Sequence, residues 1–173
     1  MSMQSRKIGA LPPLNFQTIM LLLLSCSIAT IAFDIWGQVI SPGILSWASL
    51  APVPLAIQTV DVVLGIRSKA ASHFMHLFVV GLIAYPFGWV FIFRPLQERL
   101  IPKLPILISS AIYGFGLFLL AIGIVAGPLL AGNPWFLNWS GITWVAMIGH
   151  VLYGIVCAYC VRYIEKHMAS SGD

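Results

Sequence analysis

Four apolar runs decide what this chain can fold into. They extend from about Thr18 to Gly37, Ala71 to Phe93, Ile106 to Ala131 and Gly141 to Tyr163. Each holds roughly 20 or more mostly apolar residues, the length needed to cross a hydrocarbon core. Lipid offers no partner to a free backbone N–H or C=O, so such segments close their own hydrogen bonds as helices. The predicted fold class is therefore all-α: a polytopic membrane protein built as a four-transmembrane-helix bundle. Residues 1–173 form a single integral membrane domain.

Charge supports the same solvent. Only 8% of the residues are charged, 60% are hydrophobic, and mean hydropathy is +0.96. Soluble domains carry about a quarter charged residues. The net charge of +4 is not a nucleic-acid signal, because the basic residues sit in short clusters between apolar runs and form no patch with interleaved aromatics. Arg6 and Lys7 before an apolar run look like a signal peptide, but the run is too long and "TIAFD" is a poor cleavage site, so a retained first helix is expected.

Basic residues also predict orientation. Arg6, Lys7, Arg94, Arg99, Lys103, Arg162 and Lys166 lie on one side of the four spans, and Arg67 and Lys69 on the other. Seven against two places both termini in the cytoplasm of a bacterial inner membrane. "AGNPWFLNWSG", from Ala131 to Gly141, carries two tryptophans and no charge, as an outer interfacial turn does. Residues 38–70 are apolar but interrupted by Pro42, Pro52 and Pro54. They read as an outer interfacial or re-entrant segment with a short helix near Ala56 to Leu64; a fifth crossing would break the charge asymmetry. "FRPLQERLIPKLP" reads as a solvated cytoplasmic connector whose prolines stop the flanking helices.

Membrane helices pack through small and weakly polar residues. Three faces have that character. Ser27, Thr30, Asp34 and Gln38 share one side of the first helix. Ser109, Gly116 and Gly123 recur every seven residues in the third, where Gly123 and Gly127 make a GxxxG. Thr143, Ala146, His150, Gly154 and Cys157 form one stripe on the fourth. Cys26, Cys157 and Cys160 all lie in apolar runs, and the CxxC of the last two reads as packing rather than redox chemistry. "HLFVVGLIAY" from His76 and "HVLYGIVCAY" from His150 both place a tyrosine nine residues after a histidine. Two duplicated hairpins would make His76 and His150 equivalent positions at similar depth.

Ionisable residues within spans are expensive and need partners. Asp34, His73, His76 and His150 all fall toward the outer side. Three ligand or transport chemistries fit them. His76 and His150 could hold a b-type haem axially. Asp34, His73, His76 and His150 could hold a transition metal. An Asp–His chain could relay protons in a proton-linked carrier. The structural alternative is that these groups glue helices together. No P-loop, GxGxxG after a strand, nucleophile elbow or catalytic carboxylate pair occurs, so the reading leans away from an enzyme.

"IATIAFDIWG", His76 opening the second helix and "GHVLYG" in the fourth resemble uncharacterised bacterial four-helix inner-membrane proteins, including YagU-like proteins. The resemblance implies that Asp34, Trp36, His76 and His150 are signature positions, and it implies no activity. The leading expectation is a small non-enzymatic accessory or assembly subunit. Its partners are the lipid bilayer and other membrane protein subunits or further copies of itself, with no nucleic acid.

Overall fold

The computed structural model describes residues 11–49, 60, 61, 64–129 and 141–170. Among them the fold is helical, without a strand, and four helices are long and apolar enough to cross a membrane. We label them α1 (Phe16–Ile44), α2 (Lys69–Leu100), α3 (Ile106–Phe118, continuing through Leu119–Leu129) and α4 (Gly141–Ser170). The chain is thus a multi-pass membrane helical bundle.

Local sequence explains the starts. The Asn15 side chain accepts the Thr18 N–H at 2.9 Å and caps α1, satisfying a donor that the first turn leaves over. Ser68 does the same for α2, accepting from the Ala71 N–H. Pro105 precedes α3 and presets the backbone there.

Two helices run further than their prolines suggested. α1 continues past Gly37 through Pro42 to Ile44, and α2 spans 69–100 rather than 71–93. In both, stretches of wide turns carry N–H groups to the carbonyl five residues back: Leu45 to Ile40, Tyr85 to Val80 and Arg94 to Trp89. Pro95 lies inside α2, where the wide turns give way to the narrower segment Arg94–Leu100. The expected solvated connector is thus partly helix. α4 likewise runs beyond Tyr163, to Ser170. After Ile44 the chain folds back: Ser46 takes a positive φ of 54°, the Ser41 hydroxyl donates to the Ala48 carbonyl at 2.7 Å, and Trp47 lies edge-on to Trp36. The expected helix near Ala56 to Leu64 lies outside the described residues except at 60, 61 and 64. The aromatic turn after Ala131 lies outside them too.

α4 is the central helix. Its predicted stripe is buried throughout: Thr143, Ala146, His150, Gly154 and Cys157. It crosses α3 at two glycines. A Cβ on Gly154 would stand 2.5 Å from the Ser110 carbonyl oxygen and 2.8 Å from the Gly114 Cα. A Cβ on Gly114 would collide with the His150 carbonyl. The predicted α3 face is rotated accordingly. Ser109 and Gly123 are buried, but Gly116 is exposed with nothing near it. A seven-residue repeat fits a supercoiled seam, whereas this crossing is set by the single closest pair, Gly114 and Gly154. On α1, Thr30 is buried, but Gln38 is exposed. The buried side of α1 is instead Cys26, Ala29 and Phe33.

The crossing yields a direct test. Gly154→Val should lower the thermal stability of the detergent-purified protein severely, because backbone, not a flexible side chain, fills the space. Gly116→Val should leave the melting temperature within a degree or two. Fluorescence-detected size-exclusion after heating reads both; equal losses would contradict the placement of the crossing.

Candidate functional site

The site is assembled at the α1–α2–α4 meeting point, and helix pitch decides who faces whom. His76 and Tyr85 are nine residues apart, as are His150 and Tyr159. In an α-helix nine residues is about 2.5 turns, which puts the two side chains on opposite sides. α4 is regular there: His150 is 5% exposed and Tyr159 is 45% exposed. In α2, Phe74–Ala84 is wound in wide turns. At about 4.4 residues per turn, nine residues is close to two turns, and both side chains turn inward. The two similar segments therefore hold their tyrosines differently. Tyr85, not Tyr159, reaches His150, with Oη 3.5 Å from Nε2.

His150 is engaged at both nitrogens. Nδ1 lies 2.7 Å from the Ala146 carbonyl, so Nδ1 carries the hydrogen and donates it. Nε2 is then the acceptor, facing the Tyr85 hydroxyl. Phe33 packs edge-on against the imidazole at 5.1 Å, and Phe118 at 6.2 Å.

His76 occupies the α1–α2 seam. Its Nε2 is buried without a hydrogen-bond partner and stands 4.0 Å from Asp34 Oδ1. That oxygen accepts a hydrogen bond from the Gln38 amide at 3.2 Å. The Thr30 hydroxyl is also buried and unpartnered, and a Cβ on Gly81 would stand 2.7 Å from it. Buried polar groups are rarely left this way. His73 faces outward and is exposed.

The structure thus brings Asp34 to His76 and leaves His73 apart. The Phe33 ring lies 6.2 Å from the His76 ring and 5.1 Å from the His150 ring, between centroids. No hydrogen bond couples them, because the partners of His150 are Ala146 and Tyr85. Among the described residues, no three of His, Cys, Asp and Glu converge as a metal site would require.

Sequence reading missed the tyrosines. Pro86 carries no N–H, so in the wide register the Gly81 carbonyl loses its backbone donor. The Tyr153 hydroxyl donates to that carbonyl at 2.5 Å, and the Tyr113 hydroxyl donates to the Tyr85 carbonyl. The proline five residues after Gly81 was the available signal. The buried Cys26 and Cys157 thiols face each other at 3.6 Å across α1 and α4, while Cys160 stays apart and part-exposed. At the far end of the bundle, Arg94 Nη1 donates to both carboxylate oxygens of Glu165, at 2.9 and 3.0 Å, and Nε donates to Glu98 at 3.0 Å. This pins the end of α2 to the end of α4.

The chain matches no protein-family model, no curated protein and no solved structure.

Two predictions follow from the geometry. Tyr153→Phe deletes one hydroxyl and strands the Gly81 carbonyl, a cost of about 1–3 kcal/mol. Pro86→Ala in that background supplies a backbone N–H and should recover part of the loss in the same thermal melt; no recovery would separate the tyrosine from the proline. His150→Leu should destabilise the protein more than His73→Leu, since only His150 loses buried partners. Matching melting temperatures for the two variants would contradict that order.

Proposed function

We propose that the protein is a small non-enzymatic accessory or assembly subunit of a bacterial inner-membrane complex, oriented with both termini in the cytoplasm. The orientation rests on the seven-to-two split of basic residues. The role rests on one observation: the ionisable seam between α1 and α2 is open sideways.

Asp34 and His76 keep 29% and 21% of their side chains exposed. Around them Ile31, Ile35, Phe74 and Leu77 are all exposed, with Gln38 the polar neighbour of Asp34. A carboxylate against acyl chains costs about 2.5 kcal/mol or more. A neighbouring transmembrane helix that brings a donor to Asp34 would relieve that cost. α2 is also the least enclosed helix. Its most apolar stretch is 22% buried, against 44% to 50% in the other three. Its outer flank carries the stacked pair Phe74 and Phe78. Together these features support a helix face covered by protein.

Two other readings have less support. For a haem or metal, His150 has no free nitrogen and His73 is turned away. For a proton-linked carrier, no hydrogen bond carries a proton between the Asp34–His76 pair and His150.

A photo-crosslinking residue at Phe78 tests the role in intact cells. We expect one crosslinked species of defined mass, a partner subunit or a second copy, with none from Ile108 on the exposed flank of α3. Asp34→Ala should weaken it several-fold. A chain that stays uncrosslinked from both positions and purifies alone, while supporting proton uptake in liposomes that Asp34→Asn abolishes, would replace this reading with the carrier.

A further inference from the structure

A second polar site lies at the opposite end of the bundle. A cavity of about 260 Å³ opens there, lined by Trp89, Arg94, Gln97, Glu98, Leu104, Arg162 and their neighbours. Three of these residues offer unused hydrogen-bond donors.

Trp89 is 2% exposed, and its Nε1–H is buried with no partner. An indole N–H can only donate, so burying it unpaired costs about 1–3 kcal/mol. Its neighbours Phe93 and Tyr113 pack against the ring and against each other. Arg94 spends Nε and Nη1 on Glu98 and Glu165. A guanidinium has five N–H donors, so Nη2 remains. Those two carboxylates fix the group without using all of it. Arg162 lines the same cavity, and among the described residues no carboxylate pairs with it. The three residues that carry these donors, two of them cations, line one opening together with the Glu98 carboxylate, which is held by Arg94.

We propose that this cavity binds a phosphate oxyanion, with Trp89 Nε1, Arg94 Nη2 and Arg162 as its donors. Arginine suits the planar, multidentate recognition of phosphate. Leu104, Ile106 and Ala158 give the lining an apolar part. Exposed Leu100, Ile101 and Leu107 adjoin that side. A phospholipid would place its phosphate among the donors and its acyl chains along these residues. A soluble phosphate would use the donors alone.

Native mass spectrometry of the whole protein released from mild detergent separates these sources. The probes are dioleoyl phosphatidylglycerol, dioleoylglycerol lacking the phosphate, and inorganic phosphate. We expect a one-to-one phosphatidylglycerol adduct and no comparable diacylglycerol adduct. Inorganic phosphate that displaces the lipid only at far higher concentration identifies the lipid as the source. Inorganic phosphate that displaces it at equal concentration assigns the same site to a soluble ion.

Arg162→Gln, at an exposed position, should reduce the adduct about tenfold without changing the melting temperature. Trp89→Phe, which keeps the ring and deletes the donor, should reduce it several-fold. Equal adducts with phosphatidylglycerol and diacylglycerol would overturn the proposal. So would wild-type phosphatidylglycerol binding in both variants.

Discussion

Every feature of this bundle answers to one constraint: its solvent cannot hydrogen-bond and does not drive helices together. Helices associate in lipid where backbones can approach, and that requires small residues. α4 meets the requirement on two sides. Gly154 lets α3 come to backbone contact, with a would-be Cβ 2.5 Å from the Ser110 carbonyl. Gly149 admits α1, where a Cβ would stand 2.9 Å from the Phe33 ring and 3.1 Å from Trp36. Trp36 then donates its indole N–H to the Val145 carbonyl at 2.8 Å. His150 lies one residue beyond Gly149 and four before Gly154. Its burial follows from the glycines that bring both neighbours close.

The same constraint explains the tyrosines. A proline inside a membrane helix leaves a carbonyl with no water to turn to. At Pro86 the remedy comes from another helix, since Tyr153 donates to Gly81. The bond does two things at once. It satisfies α2, and it draws α2 toward α4, a helix it otherwise meets little. Tyr85 is then close enough to face His150. A backbone defect in one helix thereby supplies both the interhelical tie and the polar neighbour of the buried imidazole.

What could be read from the chain divides along physical lines. The four spans were legible because hydrocarbon thickness sets a length that composition must meet. The α4 stripe was legible because α4 is a regular helix and its small residues keep the 3.6 period. Pitch was not legible in α2. The wide turns rotate nine-residue neighbours onto one side, and nothing in "HLFVVGLIAY" distinguishes it from "HVLYGIVCAY" in that respect. Gly116 misled for a related reason: its heptad spacing with Gly123 was read as a seam, while Gly114, off that repeat, makes the contact. The Arg94 network was hidden by Pro95. A proline normally marks a helix end, and only a change of turn width lets α2 carry Arg94 onward to meet Glu165.

The polar residues of the spans are consequently sorted into two groups at opposite ends of α2. Arg94 is eighteen residues from His76, a separation on the order of 25 Å along the axis. The two ends satisfy their charges differently. At the arginine end, carboxylates from α2 and α4 hold the guanidinium through charge-assisted hydrogen bonds, Glu98 at Nε and Glu165 at Nη1. At the histidine end, Asp34 stands 4.0 Å from His76, too far for a hydrogen bond, and the seam opens between exposed isoleucines and phenylalanines. The arginine pairs tie α2 to α4 within the chain, whereas no hydrogen bond ties Asp34 of α1 to His76 of α2. Another helix's side chain at Asp34 would supply the tie that the chain itself does not make there, and α2, the least enclosed of the four helices, is the helix that would register its arrival.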